Sequence, residues 1–313
     1  MDTLFTVSDQ EKISTLVLAL MERKGFSSAS KFAQSIGFGP ADISNLKGEK
    51  WKQNPSLIGP EKWIRLARIA GFNNNETQAW NTAHTRMYKH IFTHLTLCKS
   101  QSQYRMLIDE AGFGKTYAAK EFAQNHPNTF YIDCSDYSNK NRLIRAIATT
   151  VGTSTAGTYD DMLADTLFAL GKMNKPLLIF DEAGEICKNA DAIMILKRIY
   201  NHLEHICGMY LIGSNGLKKV MLNRKRRDIQ GYHEVFDRFE AEFRKCIPEP
   251  NLKEDRVMYV KEMAKSIMEA NGVSDSRIIR SIQNEMVENG KSLRFVYNKI
   301  IGLRLQASFT ANN

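Results

Sequence analysis

The sequence lacks the features that mark a membrane or secreted protein. No apolar run approaches the roughly 20 residues that a membrane-spanning helix needs, and no low-complexity tract interrupts the chain. The first residues, Met-Asp-Thr-Leu-Phe-Thr, have neither the basic start nor the apolar centre of a signal peptide. We therefore expect a soluble cytoplasmic protein with no membrane partner.

Cysteine is scarce and scattered. The cysteines form no CxxC pair and show no spacing typical of metal ligands. We expect buried thiols in a reducing compartment rather than disulfides or a metal site. The five residues are Cys98, Cys134, Cys187, Cys207 and Cys246.

The composition is that of a globular protein with a basic surplus. The chain has 313 residues, of which 43% are hydrophobic and 25% charged, and this length allows two or three domains. The net charge is +9 and the isoelectric point is about 9.2. This balance suits a polyanionic partner, although many basic proteins bind none.

Three regions follow one another along the chain. Residues 1–75 have helical patterns, residues 76–247 alternate between apolar strands and helices, and residues 248–313 are again helical. The alternation predicts an α/β fold whose parallel sheet lies in the middle region. We expect its strands near residues 105–108, 129–134, 176–180 and 208–213.

The most informative segment is Arg105-Met-Leu-Ile-Asp-Glu-Ala-Gly-Phe-Gly-Lys-Thr116, where a strand enters a glycine-rich loop and Gly-Lys-Thr opens a helix. Glycines let backbone N–H groups close on an anion, and the helix N-terminus adds positive potential. We expect Lys115 to reach the β- and γ-phosphates of a nucleotide and Thr116 to offer its hydroxyl to Mg²⁺. The predicted phosphate-binding residues are Glu110, Ala111, Gly112, Phe113, Gly114, Lys115, Thr116 and Tyr117.

One position departs from the phosphate-loop pattern. Asp109 stands where the pattern has its first glycine, four intervening residues before Gly114. A carboxylate beside the loop would repel phosphate, which leaves the effect of Asp109 on affinity open. A chance match of the pattern is the alternative, but the strand before the loop and the helix after it argue against chance.

A second apolar run, Pro176-Leu-Leu-Ile-Phe-Asp-Glu182, ends in two carboxylates. Such an unbroken run suits a strand that is buried on both faces. Alone, it would indicate a core strand followed by a solvated acidic turn. Behind a phosphate loop, it predicts that Asp181 holds Mg²⁺ through water and that Glu182 polarises the attacking water. The pair therefore favours hydrolysis over binding alone.

The N-terminal region has a spacing typical of a helix-turn-helix. A small residue, a glycine and two apolar residues follow one another at gaps of four, six and three, as Ala33, Gly37, Ile43 and Leu46. We predict helices near residues 28–35 and 40–47. The side chains expected to face outward are Asp42, Ser44, Asn45 and Lys47, of which the last three are our DNA-binding candidates. A plain packing hairpin is the alternative.

A polar tip and a basic cluster follow the last predicted strand. Ser214 or Asn215 is the candidate for a group beside the γ-phosphate, and an ordinary turn is the alternative. The basic cluster is predicted either to contact DNA phosphates or to be a solvated face. It consists of Lys218, Lys219, Arg224, Lys225, Arg226 and Arg227.

Two arginines complete the set of candidates. Arg238 lies between aromatic residues near the end of the middle region. In ring- or filament-forming ATPases such an arginine reaches the neighbour's nucleotide site, and a surface salt bridge is the alternative. Arg294 opens the last predicted helix, where it would touch the γ-phosphate or be an ordinary surface residue.

The order of these motifs resembles that of the AAA+ transposition regulators of the phage Mu B protein and TnsC type. The resemblance rests on a helix-turn-helix, the loop Glu-Ala-Gly-Phe-Gly-Lys-Thr, the run Ile-Phe-Asp-Glu, a Gly-Ser-Asn tip, Phe-Asp-Arg and a final Leu-Arg. It implies an AAA+ P-loop ATPase fold with an N-terminal helix-turn-helix domain (1–75), an ATPase core (76–247) and a C-terminal helical lid (248–313). The loop motifs are strong for P-loop ATPases in general and only moderately specific for this branch.

The resemblance also implies a mechanism. Such proteins bind ATP and Mg²⁺, form helical filaments on double-stranded DNA with little sequence preference, and mark that DNA as the target of a transposase in the bacterial cytoplasm. Hydrolysis, which the transposase triggers, drives disassembly. By the same resemblance Lys115, Thr116, Asp181 and Glu182 match the Walker residues, Ser214 the sensor position, Arg238 the trans-acting arginine and Arg294 the lid arginine.

Other functions remain open from the residues alone. A helicase loader of the DnaC or insertion-sequence helper type shares the ATPase core, and a transcription regulator would use the nucleotide only as a switch. A nucleotide kinase would need a pocket for an acceptor substrate, for which the sequence has no motif. Turnover assays with and without DNA separate these possibilities.

Overall fold

The computed structural model describes residues 5–72, 80–137 and 139–311. The helices, in chain order, are α1 (Val7–Arg23), α2 (Ala29–Ser35), α3 (Pro40–Lys47), α4 (Lys50–Gln53), α5 (Pro60–Ala70), α6 (Arg86–Gln101), α7 (Lys115–Asn125), α8 (Lys140–Val151), α9 (Tyr159–Lys172), α10 (Ala190–Leu203), α11 (Asn215–Arg226), α12 (Tyr232–Arg238), α13 (Lys253–Ala270), α14 (Ser276–Glu288) and α15 (Leu293–Ala311). The strands are β1 (Tyr104–Ile108), β2 (Thr129–Asp133), β3 (Leu177–Asp181) and β4 (Gly208–Gly213).

The chain divides into two compact units. One consists of residues 1–78 and 144–172, and the other of residues 79–143 and 173–313. The predicted boundary between residues 75 and 76 lies outside the described residues. Among the described helices, none combines the length and the apolarity that crossing a membrane demands.

The N-terminal helices begin and end at local signals in the sequence. The Thr6 hydroxyl accepts a hydrogen bond from the Asp9 N–H at the start of α1, and the Asp9 carboxylate accepts one from the Thr6 N–H. Gly37 has a φ of 71° in the turn between α2 and α3, a left-handed conformation that glycine adopts without strain. The two predicted helices of this hairpin are thereby confirmed as helices.

The core of these helices is apolar and aromatic. Ile43 and Leu46 of α3 are fully buried, and Trp51 meets Trp63 edge to face at 5.0 Å between ring centroids. Asp42 does not face outward as predicted. It is buried, because one oxygen accepts the Gly39 N–H at the start of α3 while the other pairs with Lys62 at 2.7 Å.

The sheet of the second unit is parallel, with the strand order β1-β4-β3-β2. Every residue of β3 and β4 is buried, as their unbroken apolar sequences predict. The carboxyl ends of β1, β4 and β3 lie side by side, because parallel neighbours end at the same edge of the sheet. All four predicted strands are confirmed.

An additional segment, which the sequence analysis did not predict, pairs with the outer edge of β1. The Ile108 N–H donates to the Arg244 carbonyl at 2.9 Å, and the Arg244 N–H donates to the Met106 carbonyl at 3.1 Å. Beyond this point the chain enters the C-terminal helices α13, α14 and α15. Their apolar faces share one core with α6, α7 and the sheet.

The cysteines are free thiols, as expected. Four are buried and Cys246 is half-buried. Burial raises the pKa of Cys187 and Cys207 to about 12, so these thiols stay protonated at neutral pH.

Candidate active site

The glycine-rich loop joins β1 to α7. Gly112 and Gly114 have φ values of 81° and 87°, in the region that side-chain-bearing residues rarely adopt. Gly114 precedes the first turn of α7, and no side chain caps that turn. The loop therefore presents main-chain N–H groups and the positive end of a helix, as an anion-binding loop does.

Lys115 is buried at the centre of this loop. Its ammonium donates to the main-chain carbonyls of Asp109 and Glu110 at 2.8 and 2.6 Å. Burial lowers the pKa of Lys115, and nearby carboxylates, including those of Asp181 and Glu182, oppose this shift. The positive charge of Lys115 is thus held against the main chain of the loop.

A network of oxygen ligands lies at the end of β3. The Thr116 hydroxyl donates to Asp181 Oδ2 at 2.6 Å, and the Tyr131 hydroxyl donates to the same oxygen at 2.8 Å. The Glu182 N–H donates to Asp181 Oδ1 at 2.9 Å. A hydroxyl and a carboxylate oxygen in contact are a donor set that fits Mg²⁺, which takes few ligands from the protein when phosphates supply others.

Glu182 presents its carboxylate beside this network. The residue has a φ of 51°, which turns the chain sharply as β3 ends. Its side chain is exposed and lines the same cleft as Lys115 and Thr116. A left-handed non-glycine residue in a cleft is a sign of functional constraint.

The cleft has a volume of about 540 Å³. Residues 111–117 form one wall, and aromatic and apolar side chains form the other. Trp80 packs against Tyr297 with 4.9 Å between ring centroids, and Ile267 lies beside them. A polar end next to an apolar aromatic end is the shape that a nucleotide requires.

Arg294 reaches the cleft from the start of α15. The Leu293 N–H donates to the Gly112 carbonyl at 3.1 Å. A Cβ on Gly112 would lie 2.5 Å from the Ser292 hydroxyl oxygen, so only glycine permits this approach. The structure therefore brings Arg294 together with the loop residues, as the sequence analysis predicts, while its role stays a prediction.

Three other candidates lie elsewhere. Among the described residues, the cleft lining does not include Ser214, Asn215 or Arg238. The Ser214 hydroxyl accepts the Gly216 N–H at the start of α11. Arg238 stacks on the Tyr200 ring at 4.1 Å and donates to its hydroxyl at 2.5 Å.

The DNA-binding candidates differ in their exposure. Ser44 and Lys47 are exposed, and Asn45 is half-buried on α3. In the basic cluster, Lys218, Lys219, Arg226 and Arg227 are exposed. Arg224 and Lys225 are half-buried: Arg224 donates to the Lys188 carbonyl at 2.8 Å, and Lys225 lies 3.8 Å from the Phe236 ring centroid. Two of the exposed members also have contacts, because Lys218 lies 5.6 Å from the Phe243 ring centroid and Arg226 donates to Asn223 Oδ1 at 3.3 Å.

The Asp109 side chain faces main-chain donors, and Asp109 is not among the described residues that line the cleft. Its carboxylate is buried and accepts main-chain N–H groups from Glu110, Cys246 and Ile247. The repulsion expected from the sequence is thus reduced, because these donors engage both oxygens. Tyr131 and Trp80 carry no sign of the site in the sequence, since neither belongs to a motif.

The comparisons agree with this geometry. Residues 99–221, less than half of the chain, match the model of an AAA domain. The Orc1 protein of Aeropyrum pernix, in a structure with DNA, is similar in fold with a TM-score of 0.52 and 13% identity, over 71% of this chain and 60% of that one. A DNA replication initiation factor aligns with a TM-score of 0.42 and 14% identity, over 70% of this chain and 59% of that one.

Among curated proteins, none matches this sequence. The chain spans about three fifths of the length of the Orc1 structure, and at this identity the likeness concerns the fold alone. Residues 99–221 carry an AAA domain, which has the P-loop ATPase fold.

Proposed function

We propose that this chain is an Mg²⁺-dependent ATPase that acts on DNA. One observation carries the ATPase part: Lys115, Thr116 and Glu182 line a single cleft at the carboxyl edge of the sheet, and the Thr116 hydroxyl contacts Asp181. The AAA domain supports the same assignment. Each of these groups has a distinct task in phosphoryl transfer to water.

The residues would divide the chemistry as follows. The loop N–H groups and Lys115 bind the β- and γ-phosphate oxygens, and Arg294 adds a charge from α15. Thr116 and Asp181 would hold Mg²⁺, which when bound supplies positive charge to the phosphate oxygens. Glu182 accepts a proton from the attacking water.

The apolar end of the cleft would receive the nucleobase. Trp80 and Tyr297 offer aromatic faces, and Ile267 is apolar. Trp80 is also a natural reporter, because the other two tryptophans, Trp51 and Trp63, are buried against each other in the N-terminal helices. Nucleotide binding should change the fluorescence of Trp80 alone.

The test of nucleotide binding is a fluorescence titration with ATP. Lys115→Ala should abolish the signal at nucleotide concentrations that saturate the parent protein, because the phosphates lose a buried cation. Lys89→Ala, which changes an exposed lysine of α6, is the matched control and should bind normally. Equal affinity of the Lys115→Ala and parent proteins would exclude the assignment.

DNA binding is supported by the net charge of +9 and by the exposed basic residues of α11. We expect ATP-stimulated binding to unrelated duplexes, with affinity that falls steeply as salt rises. Removal of Lys219 and Arg226 should lower the slope of log affinity against log salt by about 0.9 for each DNA phosphate that the variant no longer neutralises. Lys265→Gln on α13 is the control, and a flat salt dependence in the parent would contradict this proposal.

The motif order supports a finer proposal, in which the protein assembles on target DNA and activates a transposase. Arg238 would then complete the neighbour's site, and its position outside the cleft of its own chain suits that role. Arg238→Ala should bind ATP but hydrolyse it on the order of 10³–10⁵ times more slowly on DNA. Mixing with Glu182→Gln protein should restore activity, and no recovery in proven mixed assemblies would rule out action in trans.

A role in replication initiation is the second candidate. The observation that favours it is the fold similarity to the Orc1 protein, whose structure contains DNA. Sequence preference separates the two proposals. Binding confined to one duplex sequence would favour an initiator, whereas equal binding to unrelated duplexes and hydrolysis stimulated by a transposase would favour target selection.

A further inference from the structure

The carboxylate of Asp109 connects the phosphate loop to a distant part of the chain. Its Oδ2 accepts the N–H groups of Cys246 and Ile247 at 2.8 and 3.0 Å, and its Oδ1 accepts the Glu110 N–H at 2.9 Å. The glycine of the usual loop pattern has no side-chain acceptor for these amides. Because Ile247 is also buried, its N–H would otherwise lack a partner.

Glu110 makes a second connection to the same segment. Its carboxylate pairs with Arg256 at 2.6 Å, and Arg256 also donates to the Pro248 carbonyl at 3.3 Å. Arg256 lies in the first turn of α13, so this ion pair joins the loop to the start of the C-terminal helices. The Cys246 thiol and the Tyr259 hydroxyl, 2.7 Å apart, tie the segment to the next turn of α13.

Lys115 contacts the main chain of both Asp109 and Glu110. Its ammonium donates to their main-chain carbonyls, while their side chains face residues 246–256. An ammonium has three N–H donors, so Lys115 can bind a phosphate oxygen without releasing both carbonyls. A phosphate that fixes the position of Lys115 therefore also restrains Asp109 and Glu110 through these hydrogen bonds.

We propose that Asp109 and Glu110 form a latch that fixes residues 246–256 against the phosphate loop, so that a nucleotide held by the loop also orders the start of α13 and α15. The inference rests on the proposed nucleotide binding. Asp109 and Glu110 act as positioning residues in it, because their side chains touch the C-terminal segment rather than the phosphates. The hydrogen bond from the Leu293 N–H to the Gly112 carbonyl joins the loop to the start of α15 as well.

The latch explains why an acidic residue replaces glycine at position 109. Asn at this position would keep the size but not the acceptors, since an amide has one oxygen and an NH₂ group that cannot accept. At least one of the three main-chain donors would then lose its partner. The loop itself would keep its glycines and Lys115, so nucleotide affinity and latch function become separable.

The experiment is amide hydrogen exchange, measured by peptide with and without a non-hydrolysable ATP analogue. In the parent protein, nucleotide should slow exchange in the loop and also in peptides 243–257 and 290–297. In Asp109→Ala and Asp109→Asn at saturating nucleotide, the loop should stay protected. The added protection of peptide 243–257 should fall about tenfold in Asp109→Ala, which removes both acceptor oxygens, because opening there no longer breaks the Asp109 hydrogen bonds. Asp109→Asn keeps one oxygen, which can still accept from Cys246 and Ile247, and should lose less.

Asp133→Asn is the matched control. Asp133 also ends a strand, but its carboxylate is exposed and accepts the nearby Ser135 N–H. Its exchange pattern should equal that of the parent. Undiminished protection of peptide 243–257 in Asp109→Ala would overturn the latch, whereas a parent protein that binds no nucleotide would overturn the proposed function and the coupling together.

A second set of variants keeps the test decisive if Asp109→Ala does not fold. Glu110→Gln and Arg256→Gln change partly exposed residues, and the two single variants and the double variant form a cycle. If the pair acts as a unit, the double variant should lose no more nucleotide-induced protection of α13 than either single variant. Additive losses, or none, would overturn the role of Glu110. Glu249→Gln, which breaks a pair with Lys245, is the control.

Discussion

Two strands of the sheet, β1 and β3, each have an aspartate followed by a glutamate at the carboxyl end. Asp109-Glu110 follows β1, and Asp181-Glu182 lies at the end of β3. Both aspartates are buried, with 1% and 2% of their surface exposed. The two aspartates are therefore alike in residue type, order and burial, and they differ in what surrounds them.

The partners of the two aspartates are chemically different. Among the described residues, Asp109 accepts hydrogen bonds only from main-chain N–H groups, which are fixed donors. Asp181 accepts hydrogen bonds from two side-chain hydroxyls, those of Thr116 and Tyr131, and from one main-chain N–H. Hydroxyls rotate and can give up a carboxylate oxygen to a cation, whereas fixed amides cannot. The first aspartate therefore suits a structural task and the second a chemical one.

The two glutamates differ in the same way. Glu110 is held by Arg256, while Glu182 is exposed to the cleft at a φ of 51°. The comparison teaches that an Asp-Glu pair after a buried strand identifies no function by itself. The groups that face each carboxylate decide its role.

The largest effect should come from the two glutamates. Glu182→Gln should lower the rate of ATP hydrolysis about 10²–10⁴-fold, because general-base catalysis is lost, and leave nucleotide affinity unchanged. Glu110→Gln should change the rate far less. Steady-state turnover and a nucleotide titration measure both, with Glu185→Gln as a control in the turn after β3. Similar losses of hydrolysis rate in the two variants would show that the two glutamates do not differ in role.

The next effect concerns the hydroxyls around Asp181. Tyr131→Phe removes one donor, so the carboxylate is less well oriented, and the Mg²⁺ concentration for half-maximal activity should rise about 10–100-fold. Binding of Mn²⁺ in the presence of ADP, followed by electron paramagnetic resonance, should weaken in parallel. Tyr137→Phe, a tyrosine just after β2, should leave both unchanged. An unaltered metal affinity in Tyr131→Phe would remove Tyr131 from the site.

The two aspartates should differ in their effect on stability. Asp109→Asn should lower the free energy of unfolding by about 1–3 kcal/mol, because a buried N–H loses its acceptor. Asp181→Asn should cost less, since the hydroxyls of Thr116 and Tyr131 can reorient to accept from the new amide. Urea denaturation of both variants gives the difference. A larger loss in Asp181→Asn would reverse the assignment of the two aspartates.

The smallest effect should come from the ion pair of Glu110. Its two side chains keep 35% and 26% of their surface exposed, so water screens the attraction. Glu110→Gln should therefore lower the free energy of unfolding by about 1 kcal/mol or less, and added salt should reduce the difference further. Urea denaturation at low and high ionic strength measures this. A loss that salt does not reduce would show that packing, rather than charge, joins the loop to α13.

Much of the fold follows from short segments of the sequence. The four strands are apolar runs, and the hairpin of α2 and α3 follows from apolar spacing around Gly37. The loop between β1 and α7 is recognisable because its glycines, Lys115 and Thr116 act through neighbouring main-chain atoms. Such features are predictable because their causes lie within a few residues of one another.

Other features of the site had no local sign. Tyr131 bonds to Asp181 from 50 positions away, and Cys246 bonds to Asp109 from 137 positions away. Asp42 was predicted to face outward, but its pairing with Lys62 in another helix favours burial. The sequence also indicated no pairing of Arg244 with the edge of β1, because a single bridge has no periodicity.

Short segments of the sequence thus predict the phosphate loop, the buried strands and the two Asp-Glu pairs. The packing of distant segments sets which aspartate meets side-chain hydroxyls and which meets main-chain amides. The reason is physical: the loop and strands depend on local backbone geometry, whereas the state of a buried carboxylate depends on donors that folding brings from distant parts of the chain.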